Sequence, residues 1–116
     1  STDSVDFLRP IKTGDITSYE AMVSYAGSSS MEICVQIIIE DVLNKERHLA
    51  ALSFLTFVAL DENGKPTRIP KVYPETKIEK WFYEGAPKRV QRRKERREES
   101  KKTIEFLSEA QHIEDI

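Results

Sequence analysis

The chain is poor in the residues that cross-link, ligate metals or anchor a protein. Its single cysteine, Cys34, cannot close an intrachain disulfide, and with only two histidines, His48 and His112, it cannot furnish a zinc site. That cysteine usage fits a reducing compartment, so a cytoplasmic location is expected. No apolar run approaches the roughly 20 residues that span a bilayer, and no signal-peptide pattern opens the sequence, so neither a membrane protein nor a disulfide-rich secreted one is expected. No internal repeat is present. Charge of one sign is also scarce overall, with a formal net charge of −2 over 116 residues, 33% of them charged and 39% hydrophobic. These values describe an ordinary globular chain with room for about one core. The balance hides an asymmetry: residues 88–102 hold nine basic and three acidic residues, a local +6 that leaves −8 for the remainder.

What is present begins with strands. Val5 and Phe7 lie on one side of an extended stretch over residues 3–8, which Arg9-Pro10 ends because proline cannot donate to a ladder. After a turn at Thr13-Gly14-Asp15, Tyr19, Ala21, Val23 and Tyr25 alternate with Ser18, Glu20, Met22 and Ser24, a period of two that predicts a half-buried strand over residues 16–26. Gly27-Ser28-Ser29-Ser30 breaks it. Met31, Ile33, Val35, Ile37 and Ile39 then alternate with Glu32, Cys34, Gln36 and Glu40, the clearest strand signal in the chain. Residues 41–47 are polar enough for a hairpin connection, and residues 49–60 read as a strand apolar on both sides. Asp61-Glu62-Asn63-Gly64-Lys65 closes it as a turn. The reading divides the chain into strands over 1–65, a Pro-rich connection over 66–74 and a helical segment over 75–116. Thr76 with Glu79 forms a capping-box pattern, and Ile78, Trp81, Phe82 and Ala86 follow at helical spacing. Gly85 and Pro87 are expected to interrupt this short helix, after which good helix formers run from Lys88 almost to the end. Residues 91–103 contain no apolar side chain, so this stretch stands in solvent or grips something anionic.

Four antiparallel strands with one apolar face must bury it. The turn bearing Ile78, Trp81 and Phe82 and the stretch with Ile104, Phe106, Leu107 and Ala110 are too small to do so. Cover from outside these residues is therefore expected, from further polypeptide or a second copy.

Thr2-Asp3-Ser4-Val5-Asp6-Phe7-Leu8-Arg9-Pro10-Ile11, Gly14-Asp15, Ser29-Ser30-Met31-Glu32, Phe54-Leu55-Thr56-Phe57-Val58-Ala59-Leu60-Asp61 and Gly64-Lys65-Pro66 occur in an order that closely resembles the acyl-coenzyme A thioesterases of the hotdog fold. The likeness runs from about residue 2 to residue 97 and includes Pro74-Glu75-Thr76 before the helix. It implies an α+β chain: a curved antiparallel sheet of about four strands plus a long C-terminal helix. The family's sheet wraps a central helix, and its units pair into homo-oligomers, as dimers or trimers of dimers. The family's first strand, its His-Gly-Gly loop and the central helix with the catalytic Asp have no counterpart here, so no catalytic residue is assigned within the chain and the catalytic Asp is expected upstream. By the same resemblance that carboxylate activates water or attacks the thioester, and the amides at its helix N-terminus hold the oxyanion.

The resemblance places Ser28, Ser29 and Ser30 beside the nucleotide part of coenzyme A, where hydroxyls and turn amides donate to phosphate or ribose oxygens; the plainer alternative is a hydrophilic hairpin turn. It also places basic residues of the last helix by the phosphates. Arg89 and Arg93 share one helical face and Arg92 adjoins them, against the alternative of a solvated charged face. Arg9 as an ion-pair partner and Asp15 as a turn residue read as structural, and Cys34, on a polar strand face, lacks a base for nucleophilic work. The expected activity is hydrolysis of acyl-CoA to a free fatty acid and coenzyme A, with coenzyme A entering as part of the substrate and no further cofactor or metal required. The alternatives are a non-catalytic hotdog remnant or interaction protein, and a nucleic-acid-binding module using the basic helix. The overall acidity and the interleaved Glu95, Glu98 and Glu99 argue against the latter.

Overall fold

A computed structural model of the chain describes residues 2–111, with side chains from Val5 onward; His112 lies outside the described residues. The elements are β1 (Thr2–Phe7), β2 (Ile16–Ala26), β3 (Ser30–Asp41), β4 (Glu46–Val58) and α1 (Lys77–Gln111). The strands form one curved antiparallel sheet in the order β1-β4-β3-β2, giving the α+β arrangement expected. The chain divides into two compact units between Tyr83 and Glu84.

Two bulges set the geometry of the sheet. In β2 the register steps from Val23 opposite Ile33 to Tyr25 opposite Glu32, leaving Ser24 as the extra residue. In β4 it steps from Ala51 opposite Ile37 to Leu49 opposite Ile38, leaving Ala50 extra, and Ala50 answers by accepting the amides of Leu8 and Arg9 beyond β1. Each extra residue bends its strand and sharpens the twist.

Period-two alternation and direct pairing put Met22, Glu32, Cys34, Gln36, Leu52 and Phe54 on one face. Phe82, from the second turn of α1, meets Phe54 edge-on there with ring centroids 6.0 Å apart. Cys34, paired with Phe54, is fully buried. The other face carries Met31, Ile33, Val35, Ile37 and Leu55, all half-buried, and Ile39, which is 9% exposed. At its margins Phe7 is 70% and Phe57 51% exposed. Ala51 and Ser53 are buried even here, because short side chains sink between the longer Phe7, Ile37, Val5 and Val35 that pair with them. The longer apolar side chains of this face, Ile39 apart, thus keep part of their surface in solvent.

Three expectations need correction. β4 starts at Glu46 rather than at residue 49, because the polar residues of the supposed connection form a cross-strand ladder: Arg47 pairs with Glu40 opposite it and with Glu20, and Ser18 donates to Glu40 at 2.9 Å. The true turn spans residues 42–45, with Lys45 in the left-handed region at φ 53°. Second, α1 runs unbroken through Gly85 and Pro87. Proline lacks only its own amide, so one rung, to the carbonyl of Tyr83, is lost while the rest of the ladder continues. Third, Ile78 and Trp81 do not pack inward; both are largely exposed, whereas Phe82 meets Phe54 and Ala86 is fully buried.

The capping box is present in full, the Glu79 amide donating to Thr76 Oγ1 at 3.1 Å and the Thr76 amide to Glu79 Oε1 at 3.3 Å. The turn after β4 is built on Asp61, whose Oδ1 accepts the amides of Asn63 and Lys65, with Gly64 at φ 76°.

Candidate functional site

Ser28, Ser29 and Ser30 form the β2–β3 turn. The Gly27 amide donates to the Ser30 carbonyl at 2.8 Å, closing the turn. The Ser29 carbonyl accepts from Ala59 at 2.8 Å and the Ser28 carbonyl from Ile69 at 3.0 Å, so the turn is tied to the chain leaving β4. The backbone is therefore held while the Ser28 side chain stays exposed.

This tie brings the Pro-rich connection alongside the turn. A groove of about 740 Å³ is lined by Tyr25, Ser28, Arg68, Lys71, Tyr73 and Tyr83, among others. Tyr25 and Tyr83 meet at a tilt of 48° with ring centroids 5.2 Å apart, while Tyr73 stands 74% exposed. Arg68 and Lys71 are exposed and have no hydrogen-bond or ion-pair partner among the described residues. Reading the sequence by its helix and strand patterns passes over these two cations. The available signal is their spacing: an extended, proline-flanked chain repeats every three residues, which sends positions 68 and 71 to the same side.

Beneath the turn lies a buried polar pair. The hydroxyl of the bulge residue Ser24 donates to Glu32 Oε1 at 2.7 Å and to the Glu32 carbonyl at 3.2 Å, and each residue is 2% exposed. A buried carboxylate is tolerated only when hydrogen-bonded, so the bulge supplies the donor that a regular strand would direct elsewhere.

In the second unit Arg89 and Arg93 are half-buried and engaged with other groups, whereas Arg92 is exposed. A Cβ at position 85 would stand 2.9 Å from Arg89 Nη1, a contact that the flexible arginine relieves by shifting its end. The helix face bearing Arg92 and its neighbours is open to solvent, with Gln91 donating to Glu95 at 3.2 Å as a local i,i+4 support.

At the opposite end of the sheet, a second groove of about 570 Å³ mixes Arg9, Lys12 and His48 with Asp15, Glu40 and Asp41. Its carboxylates are engaged in structure. Asp15 accepts the Lys12 amide at 2.8 Å, as a turn residue should. Asp41 takes both the amide and the side-chain Nδ2 of Asn44, and these bonds hold its carboxyl below the usual range. Glu40 and Glu20 flank Arg47, and chiefly the Glu20 bond keeps that guanidinium more firmly protonated than usual. Arg9 makes no ion pair among the described residues, contrary to its expected structural role. Cys34 is fully buried rather than on an open polar face, a position suited to packing. Among the described residues no group of three or more His, Cys, Asp or Glu side chains could hold a metal ion, and no helix is long and apolar enough to cross a membrane.

Known proteins carry the same pattern. The family model of the thioesterase superfamily matches residues 1–44. An acyl-CoA hydrolase from Staphylococcus aureus, solved in complex with butyryl coenzyme A, coenzyme A and coenzyme A disulfide, is 69% identical and superposes with a TM-score of 0.86 over 93% of this chain and 66% of that one. A mutant of that enzyme is 70% identical at a TM-score of 0.86 over 91% of this chain and 67% of its own. An apo-hexameric acyl-CoA thioesterase follows at 45% identity and a TM-score of 0.74 over 82% and 61%. Among curated proteins, an uncharacterized acyl-CoA thioester hydrolase of Bacillus subtilis is 50% identical over 86% of this chain. The chain belongs to the thioesterase superfamily, with the curved sheet and long helix of its hotdog-fold acyl-CoA hydrolases. It spans 58% of the length of that curated relative.

Proposed function

We propose that this chain is the coenzyme A-binding part of a cytoplasmic acyl-CoA thioesterase, which hydrolyses the thioester to a free fatty acid and coenzyme A. The observation that carries this reading is the agreement in sequence and fold, over 93% of the chain, with a hydrolase solved with coenzyme A bound. In this reading residues 1–65 supply the strands, 66–74 the connection and 75–116 the helical segment. Ser28, Ser29 and Ser30 meet the nucleotide end of the substrate, and Arg89, Arg92 and Arg93 offer guanidinium groups to its phosphates. Water adds to the thioester carbonyl, the C–S bond breaks, and the sulfur leaves as the coenzyme A thiol with the proton that water gave up. The base for that proton is a carboxylate from outside these residues, since Asp15, Glu40 and Asp41 are engaged in turns and ladders.

The working protein is a homo-oligomer, a dimer or trimer of dimers, in which the open apolar face is covered. The hexameric relative supports this reading, as does the exposure of Phe7 and Phe57.

Release of free thiol from acyl-CoA substrates of several chain lengths tests the activity on the full-length protein; no release with any of them refutes it. Titration calorimetry with coenzyme A tests the helix: Arg89→Ala with Arg93→Ala should weaken binding at least tenfold. Unchanged affinity removes those residues from the site.

A further inference from the structure

We propose that α1, beyond Pro87, carries a docking face for the surface of an anionic phospholipid bilayer, formed by Lys94, Arg97, Lys101 and Ile104. This goes beyond the acyl-CoA reading and does not rest on it.

The first observation is how charge is distributed around the helix. Residues 88–111 lie within α1, and at 3.6 residues per turn their acids, Glu95, Glu98, Glu99, Glu105 and Glu109, fall in an arc of about 120°. The rest of the circumference is free of carboxylates. Within it Lys94, Arg97 and Lys101 follow one another at i, i+3 and i+7 and Ile104 continues their row, so the four share a strip about 80° wide and about 15 Å long. That strip is centred about 120° round the helix from Arg89, Arg92 and Arg93, the row assigned to the substrate's phosphates. The second observation is exposure. Lys94, Arg97 and Lys101 are exposed and make no hydrogen bond or ion pair among the described residues. Glu98 and Glu105 stand four residues after Lys94 and Lys101, which is the weaker order for a helical pair, and the lysines stay unpaired. Ile104 is 53% exposed in the same strip, with Leu107 beside it at 41%.

Shape and chemistry define the occupant. A planar surface meets a helix along one side only, so it accepts a helix whose acids lie on the other side. The major groove of a duplex flanks the helix on both sides and would meet the acidic arc as well. Nor does a phosphate backbone gain from an exposed isoleucine. At a bilayer surface, by contrast, Ile104 enters the boundary between headgroups and acyl chains while the lysine and arginine ends stay among the phosphates. The chain's overall charge of −2 would not draw it to an anionic surface, so the attraction comes from the strip and fixes the orientation of the helix on the bilayer. Under the acyl-CoA reading, such a surface is also where long acyl chains partition.

The test is co-flotation of the full-length protein with lipid vesicles. Vesicles of phosphatidylcholine with an equal amount of phosphatidylglycerol should bind it at about 0.05 M salt and release it at about 0.5 M, and vesicles of phosphatidylcholine alone should not bind it. Two double variants with the same change of charge separate the strip from net charge. Lys94→Gln with Lys101→Gln should weaken binding to the mixed vesicles about 25-fold, roughly fivefold per cation. Lys88→Gln with Lys102→Gln, whose lysines lie on the acidic side, should stay within about threefold of the unaltered protein. The charge-retaining Lys94→Arg with Lys101→Arg should bind within about twofold, which sets loss of charge apart from loss of helix. Ile104→Ser should weaken binding about tenfold and leave its response to salt unchanged. Equal losses in the two glutamine variants overturn the docking face, as does a loss in the arginine variant as large as that in its glutamine counterpart. Failure of the unaltered protein to bind the mixed vesicles overturns it too. Duplex DNA that strips the protein from the vesicles and binds Ile104→Ser as tightly as the unaltered protein would make the strip a nucleic-acid site and equally overturn it.

Discussion

Ile37 and Ile38 are adjacent in β3 and chemically identical, yet Ile38 is 6% exposed on the face that carries Cys34 and Phe54, whereas Ile37 is only half-buried on the opposite face. The contrast holds over the first part of the strand and fades at its end, where Gln36 is half-buried and Ile39, on the Ile37 face, is 9% exposed. Glu32 and Cys34 are buried, while Met31, Ile33 and Val35 keep part of their surface in solvent. Burial here does not follow hydrophobicity, since Glu32 is buried while Met31, Ile33 and Val35 are not. The more apolar face is the one whose long side chains keep more of their surface in solvent.

Breaking that contrast is the sharpest test. Ile38→Ala should cost about 2–5 kcal/mol by urea denaturation of the 116-residue chain, as expected for a buried isoleucine. Ile37→Ala should cost about 1 kcal/mol or less in the same experiment, since little buried apolar surface is lost. Equal costs for the two would mean that the faces are equally covered. Next in size is Ser24→Ala, which leaves the buried Glu32 carboxylate short of a donor and should cost about 1–3 kcal/mol. Thr76→Ala removes one half of the capping box and should lower stability by about 1 kcal/mol, read from the helical circular dichroism signal on melting.

The smallest effect is expected at Asp41, which lies in the solvent-exposed hairpin. Its carboxyl titrates below the ordinary value, chiefly through the Asn44 side chain. The stabilisation is therefore full above the unfolded carboxylate pKa and is lost as pH falls through the lower folded value. Melting followed against pH should lose part of its acid limb in Asp41→Asn, and an unchanged profile would show that the hairpin bond contributes nothing.

How much of this could be read beforehand follows from where the information sits. The alternation in β2 and β3, the Thr76 and Glu79 pair and the Asp61 turn are local patterns, and all three formed as their residues dictate. Ser24 and Ala50 as bulges were not legible, because a bulge is a property of two strands in register and neither residue type signals it. The start of β4 was missed because its polar residues are stabilised by partners 7 and 27 positions away, Glu40 and Glu20, rather than by neighbours. Of the candidate site, Ser28, Ser29 and Ser30 were visible as a turn. Arg68 and Lys71 were not, because they acquire a location only when backbone bonds tie the connection to that turn.

Pro87 gives α1 a dual character in the language of helix–coil transitions. Residues 76–83 carry the capping box and the docked Phe82, so nucleation of the helix is provided within the sheet unit. Beyond the missing rung, residues 88–111 must propagate on side-chain pairs such as Gln91 with Glu95, in a stretch where nucleation is costly and helicity depends on temperature and salt. The number of helical residues is therefore a thermodynamic variable. Far-UV ellipticity should decline gradually and non-cooperatively on warming, well before the sheet melts, and an anionic ligand gripping the arginines would recover it by lengthening the helix.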